Sequence, residues 1–244
     1  SLMMQQKHRE DYKEVLSLIS KSKSLAISRF ADGEASILKN LNVGNKDGWK
    51  YVKDKNLAFR SYLRRSLTLS DDNFIYGISS RNVDEKNYLF LKNFINQKIE
   101  FITFSDIWVN NNYNDFQSNF HKVINATKKK VVLLTGSKAK PQNLSKLIKI
   151  SESLLIPGNC VKYFEKNKDH FLGKLDLLSS SNNNTIFLIA LGPLSNIAIK
   201  FLWEINPMNI FLDIGSAYDP LLFGRNSRNY HNEDHPDRKV IDLW

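Results

Sequence analysis

Seven short apolar runs are spaced along the chain and predict β-strands. Each run is three to six residues long, is rich in Val, Ile, Leu and Phe, and is bounded by polar or turn-forming residues. Near-continuous apolar strands are typical of sheets that are buried on both faces. The runs lie at residues 25–28, 74–78, 101–104, 131–135, 154–156, 186–191 and 210–214.

The segments between these runs repeat apolar residues at helical spacing. The clearest repeat follows the sixth run, where positions i, i+3, i+4, i+7 and i+8 from Leu194 to Leu202 are apolar. A similar repeat precedes the first run, and a weaker one lies between the second and third. Because parallel strands need long crossover connections, this alternation predicts a Rossmann-like α/β fold, with a mostly parallel sheet flanked by helices on both faces.

No linker or internal repeat divides the 244 residues, so we interpret residues 1–244 as a single domain. Residues 1–10 are interpreted as a tag remnant and a flexible start. The polar clusters at residues 110–114 and 179–184 predict loops, and residues 224–244 form a polar C-terminal segment.

Composition excludes several classes of protein. The apolar fraction of 42% and the charged fraction of 25% are those of an ordinary folded protein, so a disordered chain is not expected. No apolar run approaches the roughly 20 residues that a membrane-spanning helix needs, and no signal peptide is present, so we expect a cytoplasmic location. The only cysteine, Cys160, excludes an internal disulfide.

The net charge of +10 is compatible with an anionic partner, whether a nucleic acid, an acidic lipid or a small phosphorylated substrate, and does not by itself choose among them. Most lysines are scattered through helical segments, and no aromatic-basic recognition motif accompanies them. We therefore do not expect nucleic acid as a partner. Peripheral contact with an anionic membrane face stays open.

An acidic turn follows the first predicted strand, where Asp32 and Glu34 flank Gly33. Oxygen ligands two residues apart suit a hard cation such as Mn²⁺ or Mg²⁺, which would bridge to a diphosphate. Arg29, just before the turn, suits phosphate oxygens. The alternative is an ordinary helix start, in which both carboxylates interact with the free N–H groups of the first turn.

A second turn, with Gly192 and Pro193, joins the sixth run to the clearest helix. Gly192 permits an unusual backbone angle, and Pro193 suits the first position of a helix. The N-terminus of a helix attracts anions, so the turn predicts a phosphate site. It matches neither a P-loop nor a Rossmann fingerprint, and a simple helix start is the alternative.

A third group of polar residues follows the last run. Asp213 or Asp219 would serve as the catalytic base that takes a proton from an acceptor hydroxyl. Arg225 and Arg228 would neutralise a leaving diphosphate. The alternative is a turn-forming Asp beside surface arginines. The acidic residues and histidines from His231 onward match no standard spacing of metal ligands.

Three blocks together resemble the GT-D fold glycosyltransferases, a family long described as a domain of unknown function. They are the turn at residues 28–34, the turn at residues 191–193 and the run at residues 213–216. Their order and placement agree with that family, and the resemblance extends from about Leu25 to His231. It implies a Rossmann-like fold in which a D-x-E motif binds a divalent cation and the donor diphosphate.

Residue by residue, the resemblance places the D-x-E motif on Asp32 and Glu34. This sequence departs from the family at Ala31, where a glycine is usual, and the added methyl group would narrow the approach of the backbone to a ligand. The other residues that it implies in nucleotide-sugar binding are Arg29, Phe30, Gly33, Asn112, Tyr113, Gly192, Pro193, Arg228 and His231.

The resemblance also implies a hexosyltransferase that uses Mn²⁺ or Mg²⁺ and takes its sugar from a nucleotide donor, expected to be a UDP-sugar. The acceptor would be a glycan, lipid-linked or protein, in the biosynthesis of surface polysaccharide or glycoprotein. Three alternatives stay open, namely a non-catalytic nucleotide- or nucleic-acid-binding module, a methyltransferase and a nucleotide hydrolase.

Overall fold

A computed structural model describes residues 8–239. Residues 1–7 and 240–244, which include most of the predicted tag remnant and the end of the polar C-terminal segment, lie outside the described residues. The strands are β1 (Leu25–Phe30), β2 (Val43–Gly44), β3 (Lys50–Tyr51), β4 (Phe74–Ile78), β5 (Ile102–Phe104), β6 (Lys130–Gly136), β7 (Glu152–Ile156), β8 (Thr185–Ala190) and β9 (Ile210–Asp213).

Seven of these strands form one sheet in the order β5-β4-β1-β9-β8-β6-β7, and all its neighbouring pairs are parallel. These seven correspond to the seven apolar runs, so the predicted parallel sheet is confirmed. The chain runs outward from β1 to β5, crosses to β6 and β7 on the other side, and returns through β8 to β9. The first and last strands of the sheet therefore lie side by side at its centre.

Helices cover both faces of the sheet, as predicted. The α-helices are α1 (His8–Lys21), α2 (Asp32–Leu38), α3 (Leu57–Arg65), α4 (Glu85–Lys92), α5 (Tyr113–Asp115), α6 (His121–Ala126), α7 (Pro141–Leu144), α8 (Cys160–Ser180), α9 (Leu194–Ile205) and α10 (Asp219–Phe223). Helices α2, α3, α4, α8 and α9 contribute to one apolar core cluster, and α1, α5, α6, α7 and α10 contribute to the other. The predicted helix from Leu194 is confirmed.

Three segments differ from the prediction. Residues 110–114 are not a loop, because a 3₁₀ turn at Asn110–Asn112 leads directly into α5 and a π-helical turn at Phe116–Phe120. Residues 8–10 belong to α1 rather than to a flexible start. Strands β2 and β3 form a small antiparallel hairpin that the periodicity did not predict, because each strand has only two residues.

The polar C-terminal segment folds back on the core in two 3₁₀ turns, Asn229–His231 and Pro236–Arg238. Arg238 is buried there, and its guanidinium donates to the carbonyl of His231. Within residues 8–239, no helix combines the length and the apolar character that crossing a membrane requires.

A buried acid in α1 makes stability depend on pH. Asp11 is fully buried, and the Thr103 hydroxyl donates to its Oδ2 at 2.8 Å. Burial raises the pKa of Asp11 to about 8, and Glu14 and Glu10 add to this rise. Between pH 4 and 8 the folded protein keeps a proton that the unfolded chain has lost, so stability falls as pH rises through this window.

We therefore expect the Asp11→Asn variant to flatten this dependence. From pH 5 to pH 8, the wild-type free energy of unfolding should fall by about 3 kcal/mol more than that of the variant, since one pH unit corresponds to about 1.4 kcal/mol. Urea unfolding at both pH values measures the difference. Equal slopes for the two proteins would show that Asp11 ionises normally.

Candidate functional site

The candidate site lies where β1, β8 and β9 end. These strands are neighbours or next-neighbours at the centre of the sheet, and each is followed by one of the three turns that the sequence indicates. In open parallel sheets, ligands bind in the crevice beyond the carboxyl ends of the strands, where the chain reverses its direction across the sheet. The fold therefore brings the three separate sequence blocks to one edge.

Arg29, near the end of β1, extends between two glycines. A Cβ atom at Gly215 would lie 2.5 Å from Arg29 Nη1, so a side chain there would force the guanidinium to move, and one at Gly77 would lie 3.3 Å from Arg29 Cγ. Arg29 Nε donates to the carbonyl of Ser105. Arg29 Nη1 is buried and has no hydrogen-bond partner within residues 8–239. The Arg29 guanidinium therefore has an N–H donor, at Nη1, that can bind an acceptor from a ligand at this edge of the sheet.

Asp213, the last residue of β9, is tied to the backbone around Arg29. The N–H of Arg29 donates to Asp213 Oδ2 at 3.2 Å, and the N–H of Gly215 donates to Oδ1 at 3.1 Å. Burial raises the pKa of Asp213, while the charge of Arg29 opposes this rise. Because both carboxylate oxygens accept backbone N–H groups, Asp213 fixes the end of β9 against β1.

The acidic turn has the contacts of a helix start. Glu34 Oε2 accepts the N–H of Ala31 at 3.0 Å, and Asp32 Oδ1 accepts the N–H of Gly33 at 2.9 Å. Asp32 is exposed, whereas Glu34 turns inward. Burial raises the pKa of Glu34 to about 7, Asp213 adds to the rise, and Arg29 opposes it. The contacts of an ordinary helix start are therefore present, and Asp32 faces solvent.

The Gly192 turn begins α9 as predicted. Gly192 adopts a φ of 56°, and Pro193 immediately precedes the helix. The buried side chain of Asn196 in the first turn of α9 donates to Ser28 Oγ at 2.9 Å and to the carbonyl of Arg29 at 2.6 Å. Asn196 was not singled out by the sequence, and it locks the start of α9 to β1.

Trp49, on the hairpin of β2 and β3, covers both glycine turns. Cβ atoms at Gly33 and Gly192 would lie 3.3 and 3.1 Å from its indole ring. Both glycines therefore leave room for this ring. Trp49 Nε1 is buried and has no hydrogen-bond partner within the described part of the chain. The sequence offers no sign of this residue, since a lone tryptophan in a polar stretch matches no motif.

Arg228 ties the C-terminal segment to the hairpin. It forms a two-pronged ion pair with Asp47, with Nη2 to Oδ2 at 2.7 Å and Nη1 to Oδ1 at 3.3 Å. The ring of His231 accepts the N–H of Arg228 at Nδ1, so its Nε2–H donates to the carbonyl of Ser216 at 2.9 Å. Burial lowers the pKa of His231, which keeps the ring neutral. His231 thus anchors Arg228 beside the end of β9.

Asp219 begins α10 in the same region. It is 7% exposed, and the Ser227 hydroxyl donates to its Oδ2. Burial raises the pKa of Asp219 to about 6; the Ser227 hydrogen bond opposes this rise, Asp47 adds to it, and Arg228 opposes it. A carboxylate with a pKa close to neutrality can accept a proton at physiological pH.

Two solved structures resemble this chain over nearly its whole length. One is described as "The highly conserved domain of unknown function 1792 has a distinct glycosyltransferase fold"; the TM-score is 0.56 at 14% identity, with 96% of this chain and 89% of that chain covered. The other is a selenomethionine-substituted structure of domain of unknown function 1792 (DUF1792), with a TM-score of 0.52, 14% identity, and coverage of 96% and 95%.

This chain has the DUF1792 glycosyltransferase fold. The resemblance predicted from the three sequence blocks is therefore confirmed at the level of the fold. No family model and no curated protein matches the sequence.

In this DUF1792 fold, three of the predicted ligand-binding residues are packed inside. Phe30 is fully buried and meets Tyr76 edge to face. Tyr113 is 2% exposed and donates from its hydroxyl to the carbonyl of Ala217 at 2.8 Å. Asn112 is fully buried and donates from its Nδ2 to the carbonyl of Ile107 at 3.0 Å. These three side chains are buried, and their part in nucleotide-sugar binding stays a prediction.

A divalent cation fits this candidate site only together with a substrate that supplies further oxygen ligands. Within residues 8–239, no group of three His, Cys, Asp or Glu side chains could hold a metal ion by itself. Asp32 and Glu34 offer carboxylate oxygens, which Mn²⁺ and Mg²⁺ prefer. Mg²⁺ commonly binds one or two carboxylates and completes its shell with phosphate oxygens and water. The donor set therefore fits a cation that arrives with a diphosphate.

Proposed function

We propose that this protein is a metal-dependent glycosyltransferase that moves a sugar, of the hexosyl class, from a nucleotide diphosphate donor to an acceptor hydroxyl. The donor that we propose is a UDP-sugar, and the acceptor is a lipid-linked or protein-linked glycan. One observation carries the proposal within this fold. Arg29 holds a buried donor atom, Nη1, without a partner in the described residues, beside the acidic turn at the end of β1. A diphosphate would supply the missing acceptor.

The proposed donor site joins the first two turns. Arg29 binds a phosphate oxygen of the donor, and Gly192 and Pro193 place the N-terminus of α9 against the second phosphate, where the helix dipole favours negative charge. Asp32 and Glu34 would hold the cation. When bound, Mn²⁺ or Mg²⁺ supplies positive charge that stabilises the departing diphosphate.

The proposed base is Asp219. Of the two candidates, Asp213 already accepts two backbone N–H groups, whereas Asp219 has its pKa raised to about 6 and lies in the electrostatic field of Arg228. Asp219 takes the proton of the acceptor hydroxyl while that oxygen bonds to the anomeric carbon. The bond between that carbon and the donor phosphate breaks, and the nucleoside diphosphate leaves with the electron pair.

We expect UDP with Mn²⁺ to raise the melting temperature of the wild-type protein and to leave that of the Asp32→Ala variant unchanged, because ligand binding to the folded state stabilises it by mass action. Thermal-shift measurements with UDP, GDP, ADP and UDP-sugars, with and without Mn²⁺, check this result.

The Glu85→Ala variant is the matched control. Glu85 is likewise an acidic residue in the first turn of a helix, and it pairs only with the exposed Arg81. The control variant should keep the full response to UDP. If no nucleotide shifts the melting of the wild-type protein under any condition, the proposed donor site is wrong.

A further inference from the structure

The indole of Trp49 occupies the space between the two turns to which the proposed function assigns the donor. The edge of its six-membered ring lies over Gly33 at the start of α2, and the Cδ1–Nε1 edge lies over Gly192 at the start of α9. Trp49 is only 5% exposed. Its polar atom is thus aimed at the N-terminus of a 12-residue helix, where anions are favoured.

The indole N–H of Trp49 is a buried donor that lacks an acceptor in the described part of the chain. Trp49 Nε1 is enclosed, yet it makes no hydrogen bond to any acceptor within residues 8–239. A buried donor without an acceptor costs about 1–3 kcal/mol, and buried Trp N–H groups usually have a partner. An acceptor from a ligand would remove this cost. An anion at the N-terminus of α9 is such an acceptor, because the helix dipole favours negative charge there.

The hairpin that carries Trp49 is held by core packing and by polar contacts near its tip, and Trp49 and Tyr51 both belong to the first apolar core cluster. Its strands have two residues each and belong to a separate two-stranded sheet. Asp47 at its tip is held by Arg228, and the two side chains are about 30% exposed. The N–H of Lys50 donates to Asn159 at 3.4 Å. A partly exposed ion pair is worth little, so another anion can compete with Asp47 for Arg228.

We propose that Trp49 is a donor-binding residue whose indole N–H donates to a phosphate oxygen of the nucleoside diphosphate at the N-terminus of α9. This inference rests on the proposed function and adds to it a contact that none of the three sequence blocks contains.

The test compares Trp49→Phe with Trp203→Phe, because both tryptophans are 5% exposed and Trp203 lies near the far end of α9. Phenylalanine keeps an aromatic ring and removes the N–H together with the second ring of the indole, a loss of volume that Trp203→Phe shares. Calorimetry with UDP, inorganic pyrophosphate and uridine, in the presence of Mn²⁺, gives the three affinities. We expect Trp49→Phe to raise the Kd of UDP and pyrophosphate about tenfold, as for one hydrogen bond to a charged group.

Uridine, which lacks phosphates, should bind Trp49→Phe and the wild-type protein equally, and Trp203→Phe should match the wild type for all three ligands. Unchanged UDP and pyrophosphate affinities in Trp49→Phe overturn this inference and leave the proposed function standing. A loss of affinity for uridine as large as that for UDP also overturns it, because the contact would then be to the nucleoside. If neither UDP nor pyrophosphate binds the wild type, both proposals fail.

A second measurement does not depend on the stability of the variant. In wild-type protein labelled with ¹⁵N at its indoles, the Trp49 N–H resonance should move downfield when pyrophosphate is added, as a new hydrogen bond requires, while that of Trp203 stays in place. A Trp49 resonance that does not move at saturating pyrophosphate contradicts the proposal.

Discussion

The Asp219→Asn variant should transfer sugar about 10²- to 10⁴-fold more slowly than the wild type while binding UDP with an unchanged Kd, because a general base acts on the acceptor and not on the donor. In the wild type, the Ser227 hydroxyl donates a hydrogen bond to Asp219. Asparagine keeps the shape of that side chain, and its amide oxygen can accept the same hydrogen bond. The loss should therefore fall on kcat. Release of UDP from a UDP-sugar in the presence of acceptor measures it.

The pH dependence of the same reaction gives an independent signature. Burial raises the pKa of Asp219 to about 6, and only the ionised form can accept a proton, so the wild-type rate should fall as pH drops below about 6. The variant has no group to protonate at that position, so its residual rate should lack this acid limb. A wild-type rate that stays level from pH 7 to pH 5 argues against Asp219 as the base.

Asp213→Asn serves as the contrasting variant. Both oxygens of Asp213 accept backbone N–H groups, from Arg29 and Gly215, so an amide nitrogen in either place faces another donor. The cost of leaving a buried donor unsatisfied is about 1–3 kcal/mol, and it should appear in the free energy of unfolding. If Asp219→Asn transfers sugar at the wild-type rate and Asp213→Asn is stable but inactive, the two assignments must be exchanged.

The sheet could be predicted from the sequence because its strands are buried on both faces. A run such as residues 186–191 has no polar alternation, and its six residues are too few for a helix and enough for a strand. All seven such runs are strands in one parallel sheet. The hairpin of β2 and β3 carries no such signal, since two-residue strands at its ends cannot establish a period.

The turns of the candidate site could be located because each follows a strand, but the contacts within them could not. Gly192 was interpreted as supplying an unusual backbone angle in a phosphate-binding turn, and in the structure it also lies against the ring of Trp49, 143 residues earlier in the chain. Local spacing contains no information on such a long-range contact. Phe30 illustrates the same limit, because position alone does not distinguish a side chain that faces the crevice from one in the core.

The partner of Arg228 also could not be predicted from the local sequence, because it lies on the distant hairpin. Its predicted partner was a phosphate, and its partner in the structure is the carboxylate of Asp47 on the hairpin. Both are anions with paired oxygens that match the guanidinium fork. The phosphate-binding role of Arg228 stays a prediction, and the structure adds a carboxylate that would compete with a phosphate for the same guanidinium.

The Gly215→Ala variant should lose both stability and transfer activity, because the new methyl group takes the place of the Arg29 guanidinium. Gly215 has a φ of 53°, and a Cβ atom there would lie 2.5 Å from Arg29 Nη1, a distance that forces the arginine to move. An alanine at such a backbone angle costs about 1–2 kcal/mol by itself. Displacing the guanidinium, which is the far end of a flexible side chain, should add little to this stability cost, and a misplaced phosphate ligand should slow transfer by about 10²-fold.

The chain contains a matched control that separates these two costs. Gly224 has a φ of 66°, and no atom lies within 4 Å of the position that a Cβ would take. Gly224→Ala therefore carries the backbone cost without the collision, and its transfer rate should stay within about twofold of the wild type. Urea unfolding and UDP release on both variants measure the difference. If the two variants lose equal stability and both keep the wild-type rate, then Arg29 can leave its position between Gly77 and Gly215 without consequence, and its place in the proposed donor site is wrong.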